Sequence, residues 1–148
     1  MSLITELESV VSFIQYCDPT ATIERQNVPL TPQSGTYVIR YQSDNRKLET
    51  ASHSVITREW QIVYFSNNIQ DCLNVVDNLA SYSFNKRLLI PIQDTLKYMR
   101  IQHLTFGQPF WNESSMNVLV GVLTTQTREA IDQGELAKIQ SVSTVIIP

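Results

Sequence analysis

Histidine, cysteine and closely spaced carboxylates are the residues from which reactive chemistry would have to be built in this chain. His53 and His103 are its two histidines, and Cys17 and Cys72 its two cysteines. Neither histidine has another ligand type nearby at metal-binding spacing, and Cys-x-x-Cys is missing. Both histidines therefore read as surface or half-buried side chains. Glu6 with Glu8, and Asp71 with Asp77, are candidates for paired acid–base work. Glu6 and Glu8 fall at a helix start, where the helix dipole favours negative charge. Asp71 and Asp77 fall on the polar side of a second helical pattern. With four glycines the chain has neither a P-loop nor G-x-G-x-x-G, and G-x-S-x-G is also missing. The expectation is a protein that is not an enzyme, with no metal and no cofactor.

Composition bounds the remaining classes. A length of 148 residues fits one domain and supports a core without staples. At 43% hydrophobic and 17% charged residues the chain reads as globular, with a surface rich in neutral polar groups. The formal net charge is −3, and the eleven Lys and Arg are scattered. Arg46-Lys47 and Lys86-Arg87 are the adjacent basic pairs, so no basic stripe for nucleic acid is visible, although local phosphate contact stays open. The first residues lack the pattern of a signal peptide, and the longest apolar runs, such as 118–123, are far too short to span a bilayer. The expected setting is a cytosol, without a membrane partner. Cys17 and Cys72 read as buried free thiols; a disulfide between them would need their helices to pack side by side.

The elements that must position these residues follow from periodicity. Leu3, Leu7, Val10, Ile14 and Cys17 recur at steps of three and four, with Ile4 and Val11 widening the same face, which predicts a helix over Leu3–Cys17. Ser2 or Thr5 supplies its cap, and Asp18-Pro19 ends it. Short strand character at 22–26 and an extended link through Pro29 and Pro32 lead to a strand at 36–42. Ser43, Asp44, Asn45 and Arg46 are turn residues, so a hairpin is expected there, returning through 47–51. Residues 54–65 form the clearest strand, with Ile56, Trp60, Ile62 and Tyr64 on one face and Val55, Val63 and Phe65 on the other. One end of it should be covered on both faces. Asn67 or Asn68 caps a second helix over 69–83, whose apolar stripe is Ile69, Cys72, Leu73, Val76, Leu79 and Ala80. Pro91 argues for an edge strand or a turn. Strands at 98–106 and 116–127 follow, the first with Met99, Ile101, His103 and Thr105 facing away from Leu104. The fold class is α+β, a largely antiparallel sheet with two amphipathic helices on one face. The domain runs from 1 to 134, and residues 135–148 form a C-terminal arm.

Candidate contact residues lie outside these cores. Asp44, Arg46, Lys47 and Glu49 put both signs of charge around the first hairpin, either solvated or suited to a contact between unlike surfaces. Trp111, beside Phe110, either tucks into the core edge or anchors a partner, since Trp is enriched at interface hot spots. Tyr82 and Phe84 carry the same two readings. The arm at 139–147 includes Val142, Thr144 and Ile146 and has no charge. Such a strand must be paired, either in its own sheet or in that of a neighbouring subunit.

Several stretches, taken together, resemble the tail-terminator and neck-terminator proteins of tailed bacteriophages. They are the N-terminal amphipathic helix, Ile23-Glu24-Arg25-Gln26-Asn27-Val28-Pro29 leading into Gly35-Thr36-Tyr37-Val38-Ile39-Arg40-Tyr41, and the charged hairpin. Arg58-Glu59-Trp60-Gln61-Ile62-Val63-Tyr64-Phe65, the helix starting in Asn68-Ile69-Gln70-Asp71, and Phe110-Trp111-Asn112-Glu113 before Val118-Leu119-Val120-Gly121-Val122 complete the match. The resemblance implies a virion protein with no catalytic residues. Its copies would form a ring, usually of six, that caps the finished tail tube and docks to the head-side connector or stopper protein. DNA would cross the lumen without sequence-specific binding. A head-completion or stopper protein of the neck, and a cytosolic binding module working through Trp111, are the competing readings.

Overall fold

The computed structural model describes residues 2–86 and 89–131. A first helix, α1 (Leu3–Cys17), precedes β1 (Thr22–Arg25), β2 (Thr36–Leu48) and β3 (His53–Ser66). Next come α2 (Ile69–Ala80), a π-helical turn (Ser81–Lys86), β4 (Leu89–Pro91), β5 (Tyr98–Phe106), β6 (Phe110–Trp111) and β7 (Asn117–Ala130). The fold is α+β. Its seven-stranded sheet has the order β1-β2-β3-β7-β5-β4, with β6 pairing β7. Only β1 runs parallel to its neighbour; the other pairings among the described residues are antiparallel.

Both helices lie on one face because their apolar stripes meet the same side of the strands. Val10, Ile14, Cys72, Val75 and Leu79 pack with Tyr37, Ile39, Trp60, Ile62, Tyr64, Leu119 and Leu123 in one core. Ser2 caps α1, its side chain accepting the Thr5 N–H at 3.0 Å. Asp18 closes the other end, its N–H reaching the Ile14 carbonyl at 2.9 Å and its carboxylate accepting the Tyr37 hydroxyl at 3.0 Å. Asn68 caps α2 through the Gln70 N–H at 2.9 Å. The opposite sheet face has a smaller core of Val38, Val63, Phe65, Met116 and Val118, all at one end of β3. That end is covered on both sides, as the apolar pattern of β3 requires.

Five expectations are corrected. Residues 43–46 are not a turn: β2 continues to Leu48, and the chain reverses at 49–52. Each of them has a partner on β3, with Asp44 opposite Arg58 and Arg46 opposite Ile56, and that pairing overrides their local turn preference. On α2 the buried face is Cys72, Val75 and Leu79; Leu73 is 52% exposed and Ile69 49%. The inward stripe is rotated by the position of Val75, which takes the place assigned to Leu73. Ile4 likewise points outward from α1, at 71% exposure. In β5 a bulge between Ile101 and His103 switches the alternation, so Leu104 and Phe106 join Met99 and Ile101 on the core side. The α-helical part of the second helix stops at Ala80 and the chain widens into the π-turn.

Gly121 shows how tightly β5 and β7 approach. A Cβ there would come within 2.5 Å of the Phe106 ring, which lies over the glycine. Pro91 sits on the edge strand β4, where its missing N–H breaks no interior ladder.

Candidate contact surfaces

The strands β2, β3 and β7 run on together to a tip around residues 44–48, 53–57 and 126–130. On β3 the alternation that sends Ile56, Trp60 and Ile62 under the helices also sends Arg58 there. Arg58 is 2% exposed. A buried guanidinium needs anionic partners, and they come from two elements. The Ser2 cap sets the phase of α1 so that Glu6, 1% exposed, meets Arg58. Arg58 Nη1 donates to Glu6 Oε2, and Arg58 Nε to Asp44 Oδ2 at 3.4 Å. Glu6 Oε1 has no hydrogen-bond partner among the described residues. Burial pushes the Glu6 carboxyl above its ordinary value, and Arg58 opposes that shift. Glu6 is therefore a buried partner of Arg58 as well as the first-turn charge that the helix dipole favours. Arg58 offered a signal in the sequence: a cation in register with an apolar face demands a buried anion.

The four charges expected at a contact are placed unequally. Asp44 is tied to Arg58 and lies 3.6 Å from Arg46 Nε. Glu49, in the reversal, accepts from Arg128 Nε at 2.8 and 3.0 Å and from Nη2 at 2.9 Å. The Arg128 guanidinium holds the Glu49 carboxyl below its usual range, and Glu49 raises Arg128 in return. Lys47 makes no ion pair among the described residues. Asp44 and Glu49 are thus turned to their own chain, while Arg46 and Lys47 face outward on opposite sides of β2. Val142, Thr144 and Ile146 lie outside the described residues.

At the far end of β3, β6 and β7 form a hairpin. Asn112 holds its turn, bonding Met116 with its backbone N–H and its side chain, each at 2.9 Å. Phe110 lies opposite Val118 and Trp111 opposite Asn117. Trp111 is 64% exposed and Phe110 52%, so neither is tucked into the core edge. Tyr82 packs edge-on against Tyr16 with ring centroids 5.5 Å apart, while Phe84 is largely exposed.

Cys17 and Cys72 are free and buried; burial and the adjacent Asp18 push the Cys17 thiol up to about 12, and burial with Asp71 raises Cys72. Both histidines are exposed, and His53 Nδ1 lies 2.9 Å from Ser52 Oγ. Asp71 accepts from Ser66 Oγ at 2.9 Å, a bond that fixes the start of α2. Among the described residues, no group of three or more His, Cys, Asp or Glu is placed to hold a metal ion. Lys97, Arg100 and Arg128 line a hollow of about 590 Å³ between the start of β5 and the end of β7, with Arg128 already engaged by Glu49. No described helix is long and apolar enough to cross a membrane. No protein-family model matches the sequence, and no curated protein matches it.

Proposed function

We propose that this protein is a structural subunit of a tailed-bacteriophage virion. Its copies form a ring, most simply of six, at the head-proximal end of the tail. There the ring stops growth of the tube and joins the tail to the head. The tail-tube protein lies on one side of it and a head-side connector or stopper on the other.

The observation that carries this reading is the pair of unlike surfaces at the two ends of one 14-residue strand, β3. One end is the charged tip with Arg46 and Lys47. The other is the exposed Phe110–Trp111 edge. At about 3.3 Å per residue they stand roughly 33 Å apart along β3. A ring needs one patch of each copy to meet a different patch of the next. Two chemically distinct ends on a rigid sheet suit that need. The resemblance to terminator proteins spans these same elements in the same order. A net charge of −3 is compatible with DNA passage and is not itself evidence for it.

The test is a nonsense mutation in this gene within its phage, read by electron microscopy. The expected particles are tails of uncontrolled length beside unjoined heads. Normal joined particles overturn the proposal. Exposed Trp111 and Phe110 also favour a second reading, a binding module working through that edge. Under it Trp111→Ser abolishes partner capture, and the nonsense mutation leaves particle morphology unchanged. A neck stopper would instead leave tail length normal and heads unjoined.

A further inference from the structure

The sheet gathers basic residues that are scattered along the chain. On β2 the face away from the helices carries Arg40 and, past the bulge between Tyr41 and Ser43, Lys47; both are exposed. Arg100 on β5 and Arg128 on β7 lie on the same face and are exposed as well. Register fixes their layout. Lys47 stands opposite Val55 and Val55 opposite Arg128, which makes one row across three strands. Arg100 stands opposite Gln126 in the next row, and Arg40 opposite Gln61. From Val55 to Gln61 is about 20 Å along β3, and from β2 across to β5 is three strand spacings, about 14 Å.

The carboxylates on this face are fewer, and they are engaged. Glu59 accepts from Ser43 Oγ at 2.8 Å, and Glu49 accepts from Arg128. Arg40, Lys47 and Arg100 make no ion pair among the described residues. The helix layer is the reverse. Glu6, Glu8, Asp71 and Asp77 stand on α1 and α2, and neither helix contains a Lys or Arg. A chain of formal net charge −3 thus has one acidic side, while the strands of the other carry twice as many cations as carboxylates.

The chemistry between the cations narrows the occupant. Asn45, Thr57, Gln61, Thr124 and Gln126 fill the middle of the face. A protein partner would need an apolar centre to bury, and this stretch offers Val122 and an already buried Val55. A single strand of nucleic acid would need a run of aromatic rings for its bases, and Tyr98 stands alone at one corner among the described residues. Hydroxyl, amide and guanidinium groups suit phosphate oxygens. The major groove of a duplex admits a two-stranded ribbon, so a face four strands wide meets the backbone instead of the base edges. A duplex length of about 20 Å presents about twelve phosphates to choose from.

We propose that the sheet face opposite the helices is a contact surface for the phosphate backbone of double-stranded DNA, made through Arg40, Lys47, Arg100 and Arg128 and indifferent to sequence. The proposal stands independently of the ring. Fluorescence anisotropy of a labelled duplex of about 20 base pairs with the full chain, titrated from about 20 to 200 mM salt, tests it. The logarithm of the binding constant should fall by about 3 per tenfold rise in salt, roughly 0.9 for each of the three cations without an ion pair. Lys47→Gln and Arg100→Gln should each lower that slope by about one. Arg46→Gln, on the helix side of β2, should leave it unchanged. No binding of the duplex at the lowest salt overturns the proposal, as does a slope that Arg46→Gln lowers as much as Lys47→Gln. Tighter binding of the same sequence as a single strand also overturns it. Capture of polyglutamate in place of the duplex overturns it too, and assigns the face to an acidic protein surface.

Discussion

β2, β3 and β7 are built in two different ways along their length. Under the helices they present Tyr37, Trp60, Ile62, Tyr64 and Leu119, and the layer is held by apolar contact. Toward the tip they present Asp44, Arg46, Arg58 and Arg128, and the strands are held by charge pairs and hydrogen bonds. Arg58 and Trp60 are two residues apart on the same face and belong to the two regimes. Trp60 needs one partner for its single N–H, the Thr125 hydroxyl at 2.9 Å, and is otherwise satisfied by packing. Arg58 needs anions from α1 and β2. Apolar burial tolerates many neighbours, whereas a buried charge specifies which neighbour must arrive.

Substitutions should separate the regimes by size. Trp60→Ala should cost about 3–5 kcal/mol in urea unfolding, since it empties the middle of the covered layer. Arg58→Met should cost about 3 kcal/mol, because Glu6 is left buried beside an apolar group. Glu6→Leu combined with Arg58→Met should recover most of that loss. If the double variant is no better than Arg58→Met alone, the pair is not a closed unit and the contrast fails.

A smaller effect should appear with pH. The folded-state value of Glu6 is raised above its ordinary 4.5, so the native state binds the proton more tightly than the unfolded chain. Its contribution to stability is fully present below 4.5 and is lost as pH rises through the higher folded value. Relative to Glu6→Gln, the unaltered protein should gain stability as pH falls from neutral toward that range. A pH-independent difference between the two unfolding curves would remove the carboxyl from the buried set. Smallest of all, Leu73→Ala should change stability by no more than about 0.5 kcal/mol, as for other exposed sites. A loss as large as that of Leu79→Ala would return Leu73 to the core.

What could be read from the sequence divides along the same line. The span of α1, a cap at Ser2 or Thr5, another at Asn67 or Asn68, and the two-faced burial of one end of β3 all follow from local pattern and apolar spacing; the structure selects Ser2 and Asn68. So does the place of Pro91 on an edge. The misreadings depend on partners remote in the chain. Residues 43–46 look like a turn until β3 is laid beside them. Leu104 looks outward until the bulge at Gln102 is known. Leu73 and Val75 are equally apolar, and only the sheet beneath decides between them. On the β6 edge, Trp111 left two readings open, and its exposure removes the one in which it tucks into the core edge. Glu6 meeting Arg58, 52 positions away, is legible only as a demand for some anion.

Cys17 stands in the last turn of α1 and Cys72 in the first turn of α2, 6% and 0% exposed. Each helix therefore carries one hidden sulfhydryl, and neither is present as the nucleophilic anion at neutral pH. An alkylating reagent can tag either one only while its own helix has lifted from the sheet. The chain thus contains two separate clocks, and the order in which they are stamped during slow labelling reports which helix lets go first.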